Sequence, residues 1–517
     1  MAGAESSDEI REITECFPIK IDDQPLQEWS MDDLAPFDRV QRPDRMRHTA
    51  WVNSDLVDKL WQQKSRMDEV FDAEQGKLYS RAREEIFPQD RHGSEKFRNR
   101  AGDKLQEVCE AVGGILDCRP EGAEPVGDPG EGPDTKRRKL ESGQGAPTTT
   151  TTTTTASSGD DQADAAAAAD VYFADICGGP GSWSEFLFEL AKEFQLRMKG
   201  WGMTLKDASS ERQCDWYPHL LDDPRWTALW GEDSTGNVYP PANLTHAVQQ
   251  IFKGIYGKTD ARFDEGVHLA VADGGFKIGK DAETGEHLEN YQELFSSRIV
   301  LAEILMSFMV LRPDGHLVCK LFDSFSDMTA SVIYACCHCF REVYLVKPRR
   351  SRIVNSERYL VAKFFKGRHG PQFDLLMQSM STLHRRWHDG SIPDDSSPLS
   401  AVPLSVLTGS TAFVKSLRSA NDYLANKQGL ALNLVMNRVQ EMRERGEGQR
   451  GRGGRGRGGW RGGRDRGGDR GRGDWGRGRG GGGGGWQDDR RYNNGWRGGE
   501  PHRGMGMGMD RGRGRQY

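Results

Sequence analysis

Short apolar runs alternate with helical stretches from Val171 to Phe365, and this alternation constrains the fold more than any other feature of the chain. Two of the stretches, Tyr291–Val310 and Met328–Phe340, are predicted as helices between the strands. Strands that alternate with helices form βαβ units and a mainly parallel sheet. The sequence therefore predicts an α/β fold with these strands: Val171–Ile176, Gly200–Thr204, His268–Ala272, Gly315–Leu321, Glu342–Val346 and Tyr359–Phe364.

The segments around this body differ from it in composition. Apolar residues at helical spacing predict N-terminal helices over Trp51–Val70 and Lys96–Val112. A later segment of Pro, Gly and acidic residues with runs of Thr and Ala cannot build a core. The predicted boundaries are a mostly flexible arm (1–40), N-terminal helices (41–118), a low-complexity insertion (119–170), the α/β core (171–370), a helical appendage (371–445) and a disordered arginine- and glycine-rich tail (446–517).

Charge is distributed unevenly along the chain. The formal charge is −6, yet residues 450–517 contain 18 Arg and only seven Asp or Glu, so the rest of the chain is acidic. The tail also carries Trp460, Trp475, Trp486, Tyr492 and Trp496. Arginines contact phosphates and aromatic rings stack on bases, so this tail favours RNA as a partner. A solubilising or self-associating tail is the alternative.

Lys136–Lys139 form a basic cluster within the predicted insertion. Such a cluster is often plain solvated charge, but in an exposed loop it favours a nuclear import signal. We therefore expect a nuclear location.

The cysteines predict neither disulfides nor a metal site. Nine cysteines are scattered along the chain, which favours a reducing compartment. Cys336, Cys337 and Cys339 surround His338 in an apolar stretch without a second ligand pair, so a buried helix is expected rather than zinc. No apolar run reaches the roughly 20 residues that span a bilayer, and no membrane partner is expected.

A glycine-rich turn joins the strand Val171–Ile176 to the helical stretch Trp183–Phe194. A phosphate loop would need a Lys-Ser or Lys-Thr pair after the glycines, and a dinucleotide fingerprint would need a third glycine; neither is present. An acidic strand end, Asp175, followed by Gly178-Gly-Pro-Gly181 is typical of S-adenosylmethionine enzymes. A structural tight turn could have the same sequence.

Four charged residues could assist methyl transfer to a hydroxyl group beside this turn. Asp273 follows the strand His268–Ala272, Lys320 is near the end of its strand, Glu357 shortly precedes another, and Lys104 lies on a helix before the sheet. The carboxyl ends of strands bind ligands in open α/β sheets. A lysine could remove the proton of a hydroxyl if desolvation or a second cation lowers its pKa from about 10.4. Singly, such charges are more often solvated or salt-bridged; together they predict a catalytic tetrad.

Seven motifs occur in one order: Ser80–Arg83, Asn99–Ala101, Phe173–Gly181, Gly202–Lys206, Ala272–Phe276, Cys319–Asp323 and Lys347–Tyr359. In these the chain resembles the FtsJ-like, Rossmann-fold ribose 2′-O-methyltransferases and, among them, the cap-1 mRNA methyltransferases of eukaryotes. The resemblance implies that Lys320 activates the 2′-hydroxyl, while Lys104, Asp273 and Glu357 orient Lys320 and tune its charge.

The resemblance also implies residues that bind S-adenosylmethionine and RNA. The expected cofactor-binding residues are Asn99, Asp175, Gly178, Pro180, Gly181, Ser182 and Asn237. Ser182 stands where the family has a glycine, and Asn237 where the cap-1 enzymes have an acid. The expected substrate-binding residues are Arg83, Ser351 and Arg352.

The implied partner is capped mRNA or another 5′-capped RNA, with the transcription machinery as a further candidate. Arg83 corresponds to a residue beside the bound cap, and Val402–Leu404 resembles the element that leads into the helical appendage. The alternatives are a ribosomal or small nucleolar RNA 2′-O-methyltransferase, and an inactive RNA-binding adaptor with the same fold.

Overall fold

The structure is a computed structural model. It describes residues 14–26, 28–30, 33, 40–41, 49–74, 76–88, 100–115, 170–206, 216–262, 264–275, 288–393 and 396–446. The predictions for the low-complexity insertion, the basic cluster and the arginine- and glycine-rich tail fall outside these ranges, apart from one residue at each boundary, Asp170 and Gly446.

Eight of the described strands form one sheet in the order β1-β8-β9-β7-β6-β3-β4-β5, and β2 pairs with β10. The strands are β1 (Glu15–Ile19), β2 (Val40–Gln41), β3 (Asp170–Ile176), β4 (Arg197–Met203), β5 (Trp226–Leu229), β6 (Val267–Ala272), β7 (Leu311–Phe322), β8 (Phe340–Lys347), β9 (Glu357–Phe365) and β10 (Ser397–Pro398).

The large sheet is mainly parallel, as predicted. Strands β3 to β7 pair in parallel, and β9 pairs antiparallel with both β7 and β8. Strand β8 therefore runs in the same direction as β7, and only β9 and β1 run the opposite way. Because β9 is reversed, its first residue lies at the edge where β7 ends.

Helices cover both faces of the sheet. The helices are α1 (Ser54–Glu74), α2 (Lys77–Ile86), α3 (Arg100–Ala111), α4 (Ser182–Glu193), α5 (Pro218–Leu221), α6 (Pro241–Tyr256), α7 (Gln292–Val310), α8 (Asp327–Cys339), α9 (Pro371–His388), α10 (Leu404–Gly409) and α11 (Thr411–Glu444). In the described part of the chain, two short 3₁₀ helices span Leu288–Tyr291 and Arg349–Ser351.

The strands are apolar on both sides because each face of the sheet is packed. In β3, Val171 and Phe173 pack with helices α3 and α4, whereas Ala174 and Ile176 pack on the opposite side with α6, α7 and α8. A third apolar cluster joins α1 and α2 to α11. The N-terminal helices and the C-terminal helix, far apart in sequence, therefore form one packed layer.

Several elements differ from the prediction. The prediction of a mostly flexible arm over 1–40 is wrong for Glu15–Ile19, which pairs antiparallel with β8 and closes one edge of the sheet. Strand β5 and helix α6 were not predicted, and α2 and α9 lie in regions predicted as helical without individual bounds. Helix α9 falls in the predicted appendage but packs in the main core through Leu376, Met380 and Leu383. Among the helices that the structure describes, none is long and apolar enough to span a membrane.

Candidate active site at the carboxyl edge of the sheet

The sheet topology brings three of the four candidate catalytic residues to one edge. Asp273 directly follows β6, and Lys320 lies two residues before the end of β7. Glu357 begins β9 and pairs with Phe322 at the end of β7, since these strands are antiparallel. Helix α3 brings Lys104 to the same edge from outside the sheet.

The four side chains form two ion pairs. The Nζ of Lys320 lies 3.1 Å from Oδ1 of Asp273 and also donates to the backbone carbonyl of Asp273 at 2.7 Å. The Nζ of Lys104 lies 2.7 Å from Oε1 and 3.0 Å from Oε2 of Glu357. Each side chain is mostly buried, with between 12% and 21% of its surface exposed. Each ion pair is thus shielded from bulk water, which strengthens it.

These pairs set the charge of the site. Burial would raise the pKa of Glu357, but Lys104 and Lys320 outweigh it and hold the pKa at about 2. Burial would lower the pKa of Lys320, but Asp273 and Glu357 outweigh it and raise the pKa above its ordinary value. The sequence argument requires a lowered pKa for this lysine. In the structure its pKa is raised instead, so Lys320 is an ammonium near neutral pH.

The glycine-rich turn adjoins these residues. A cavity of about 240 Å³ is lined by Arg100, Ala101, Lys104, Gly178, Gly179, Pro180, Ser182, Trp183 and Asp273. Gly181 has a φ of 110°, and a Cβ there would lie 2.3 Å from Leu220 Cδ1. This position therefore needs glycine for both its conformation and its close packing.

Asp175 lies beneath the turn rather than in the cavity. It is fully buried, and its Oδ2 accepts a hydrogen bond of 2.5 Å from Ser184 Oγ. Burial raises the pKa of Asp175 to about 7. A Cβ at Gly178 would lie 1.8 Å from Oδ1 of Asp175, so only glycine fits above this carboxyl. The structure thus gives Asp175 a supporting position under the turn.

The other predicted binding residues lie in varied settings. Asn237 lies in the loop after β5, and its Oδ1 accepts from the backbone N–H of Tyr239 at 3.0 Å. Arg83 is on α2, with its Nη2 3.9 Å from Oε1 of Glu84. Asn99 lies outside the part of the chain that the structure describes.

Ser351 and Arg352 differ in accessibility. Ser351 is only 1% exposed, and its hydroxyl donates to the carbonyl of Pro348 at 2.9 Å. That hydroxyl is thus used in holding the 3₁₀ helix. Arg352 follows with a φ of 61° and a partly exposed side chain.

Three residues to which the sequence analysis assigned no role support the two ion pairs. The hydroxyl of Tyr359 donates to Oε1 of Glu357 at 2.8 Å. Lys347 donates to the backbone carbonyl of Glu357 at 2.6 Å, and burial lowers the pKa of Lys347 to about 7. Glu303 accepts from the backbone N–H of Gly274 at 2.9 Å. The available signals were Lys347 at a strand end and Glu303 as an acid within an apolar helix.

The cysteine-rich stretch is a core helix, as predicted. Cys336, Cys337 and Cys339 are buried free thiols on α8, and His338 is buried beside them. Within the described part of the chain, no group of three or more His, Cys, Asp or Glu is placed to hold a metal ion.

Comparisons with known proteins identify the family of the chain. The FtsJ-like methyltransferase family matches residues 159–365. A Trypanosoma cruzi protein named cap-specific mRNA (nucleoside-2′-O-)-methyltransferase 1 is 32% identical over 407 residues, which cover 78% of this chain and 88% of the relative.

Two further relatives carry the same name. The Trypanosoma brucei brucei protein is 32% identical over 74% of this chain and 84% of its own length. The Danio rerio protein is 32% identical over 49% of this chain and 28% of its own length. The chain therefore belongs to the FtsJ-like methyltransferases and, among them, to the family of the cap-specific mRNA (nucleoside-2′-O-)-methyltransferases 1.

Proposed function

We propose that this protein transfers a methyl group from S-adenosylmethionine to the ribose 2′-hydroxyl of the first transcribed nucleotide of capped mRNA, which forms cap-1. The names of its relatives support the choice of substrate. The roles proposed for individual residues rest on the geometry of the carboxyl edge and on the resemblance in sequence.

One observation carries the proposal. Lys104 and Asp273, one member of each ion pair, line the same cavity as the turn Gly178–Ser182. Lys320 contacts Asp273 at 3.1 Å. A ligand held by the turn would thus lie beside both lysine–carboxylate pairs, where a reacting hydroxyl group can be oriented.

Two features of the cavity support S-adenosylmethionine as its ligand. The turn precedes α4, and its residues Gly178, Gly179, Pro180 and Ser182 line the cavity, as in the ligand sites at the strand-to-helix turns of other α/β folds. The cationic side chains of Arg100 and Lys104 line the cavity, as suits a ligand that carries a carboxylate. When bound, S-adenosylmethionine would supply a methyl group whose carbon bonds to the attacking oxygen while its bond to sulfur breaks and the sulfur leaves as a neutral thioether.

Lys320 is the residue proposed to act on the 2′-hydroxyl. Asp273 fixes its Nζ through two contacts, so the nitrogen has a defined direction. To accept the hydroxyl proton, Lys320 must first lose one, and Asp273 and Glu357 oppose this by raising its pKa. The sulfonium charge of S-adenosylmethionine in the cavity would counteract these carboxylates and favour the neutral amine of Lys320. Lys104 limits the effect of Glu357 by pairing with it.

Capped RNA is the proposed partner, and the arginine- and glycine-rich tail is proposed to add salt-dependent contacts with little sequence preference. A nuclear location is part of the proposal, supported by the basic cluster Lys136–Lys139. Contact with the transcription machinery follows as a further expectation from cap formation on new transcripts.

The test is methyl transfer by the purified full chain to capped and uncapped transcripts of identical sequence. We expect methylation of the first ribose of capped RNA, identified by mass spectrometry of the released cap. Equal rates on both transcripts would favour an enzyme that acts on ribosomal or small nucleolar RNA. No binding of S-adenosylmethionine in calorimetry, together with no transfer, would favour an inactive adaptor.

A further inference from the structure

The peptide group that joins Asp273 to Gly274 is held from both sides. Its carbonyl accepts a hydrogen bond of 2.7 Å from Nζ of Lys320. Its N–H donates a hydrogen bond of 2.9 Å to Oε1 of Glu303. A single rigid peptide plane therefore connects the candidate catalytic lysine to a carboxyl group that does not line the cavity.

Glu303 is an unusual residue for its position. It lies in α7 among buried apolar residues and is 0% exposed. A buried carboxyl destabilises the fold unless it is hydrogen bonded. Its Oε1 accepts from the backbone N–H of Gly274, and its Oε2 accepts from the thiol of Cys319 at 3.6 Å. Both contacts fall on residues adjacent to Asp273 and Lys320.

The backbone of Gly274 approaches the carboxyl of Glu303 closely. A Cβ on Gly274 would lie 2.0 Å from Oε1 of Glu303, so position 274 has no room for a side chain. The carboxyl and the backbone N–H therefore meet without an intervening group. Burial raises the pKa of Glu303 to about 8, but Oε1 can accept from the N–H in either protonation state.

We infer that Glu303 is a positioning residue for Lys320 and acts through the peptide group between Asp273 and Gly274. Hydrogen bonds in a chain polarise one another, so the contact on the N–H side strengthens the contact on the carbonyl side. Without Glu303 the peptide can rotate, and Lys320 loses the shorter of its two contacts with Asp273. This role rests on the proposed function.

Two substitutions distinguish the effect of the acceptor oxygen of Glu303 from the effect of its side-chain volume. Glu303→Gln keeps an oxygen that can accept from Gly274, whereas Glu303→Met keeps the approximate volume and removes the acceptor. The matched control is Glu293→Met. Glu293 is also a buried acid on α7, and it accepts from the N–H groups of Phe325 and Ser326 at 3.0 and 2.8 Å.

We expect Glu303→Met to lower kcat by about 100-fold, since a shift of about 1 Å in a reacting group has effects of this size. The KM for S-adenosylmethionine should change little. Glu303→Gln should keep kcat within about threefold of the wild type, because the acceptor remains. Glu293→Met should lower the melting temperature as much as Glu303→Met does, with kcat unchanged.

Two results would overturn the inference: wild-type kcat in folded Glu303→Met, or Glu303→Gln as inactive as Glu303→Met. If the wild type itself transfers no methyl group to capped RNA, the proposed function fails, and hydrogen exchange of the segment that contains Gly274 decides the structural part. Slower exchange in the wild type and Glu303→Gln than in Glu303→Met would support the contact. Equal exchange in all three would refute it.

Discussion

The two halves of the sheet bury titratable groups in opposite ways. In the amino half, His268 and His316 accept hydrogen bonds through Nδ1 from the backbone N–H groups of Tyr172 and Phe364, at 3.1 and 3.2 Å. Burial, assisted by nearby cations, lowers the pKa of each histidine to about 4. These rings are therefore neutral near pH 7.

At the carboxyl edge the four groups of the two ion pairs remain charged although they are mostly buried. Glu357 has a pKa of about 2, and the pKa of Lys320 is raised. The sheet thus avoids the cost of burying an unpaired charge in two ways: its histidines are neutral at one end, and opposite charges are paired at the other. A shifted pKa alone does not mark a catalytic site, since both ends show one. What distinguishes the carboxyl edge is that its charges border a cavity.

Removal of the central lysine should have the largest effect. Lys320→Met deletes the group proposed to take the 2′-hydroxyl proton, and kcat should fall by about 1,000-fold or more, since proton transfer by a side chain contributes roughly 100- to 10,000-fold. Binding of S-adenosylmethionine, measured by calorimetry, should stay near normal. The control is Lys366→Met, since Lys366 likewise donates to a backbone carbonyl, that of His338 at 2.8 Å, but lies at the other end of β9. A Lys320→Met variant as active as this control would contradict the assignment.

Neutralising one carboxylate should change the pH profile as well as the rate. Glu357→Gln removes one of the two charges that raise the pKa of Lys320, so that pKa should fall. Activity that requires neutral Lys320 rises as pH passes through this pKa. The rising limb of log kcat/KM should therefore move to lower pH in the variant, while kcat at its plateau falls about 100-fold because the charge that pairs with Lys104 is lost. If log kcat/KM rises at the same pH in the variant and the wild type, the carboxylate of Glu357 does not set the charge of Lys320.

A substitution in the amino half should affect stability and leave catalysis intact. The folded pKa of His316, about 4, lies below its ordinary value of 6.5, so the unfolded chain binds the proton first on acidification. The stability that comes from neutral His316 is present above pH 6.5 and is lost towards pH 4.

His316→Asn keeps an acceptor for Phe364 and cannot titrate. Between pH 7 and about 4.5, its free energy of unfolding in urea should fall by about 2 kcal/mol less than that of the wild type. The kcat at neutral pH should match the wild type. Equal acid sensitivity of both proteins would argue that His316 is not held neutral.

The sequence predicted the central strands because they are apolar on both faces. Val171–Ile176 and His268–Ala272 each extend by only one residue in the structure. The short edge strands β1 and β5 escaped prediction, since five and four residues give too little periodicity. The reversal of β9 was also not visible, because direction depends on pairing with β7 rather than on local pattern.

That reversal explains why the site was only partly predictable. Asp273 and Lys320 follow from the rule that parallel strands end at one edge. Glu357 reaches this edge only because β9 runs backwards, and its contact with Lys104 joins residues 253 positions apart. The choice of which lysine pairs with which carboxylate is thus a property of the folded chain.

The smallest expected effect concerns a contact visible only in the structure. Tyr359 lies opposite Lys320 in the pairing of β9 with β7, and its hydroxyl donates to Oε1 of Glu357. Tyr359→Phe removes this hydrogen bond and keeps the packing of the ring on Trp183. Because Lys104 still contacts both oxygens of Glu357, kcat should fall only about three- to tenfold, as suits one lost hydrogen bond. In a Glu357→Met background, which offers the hydroxyl no acceptor, the same substitution should have almost no effect. A full effect in that background would mean that Tyr359 acts independently of Glu357.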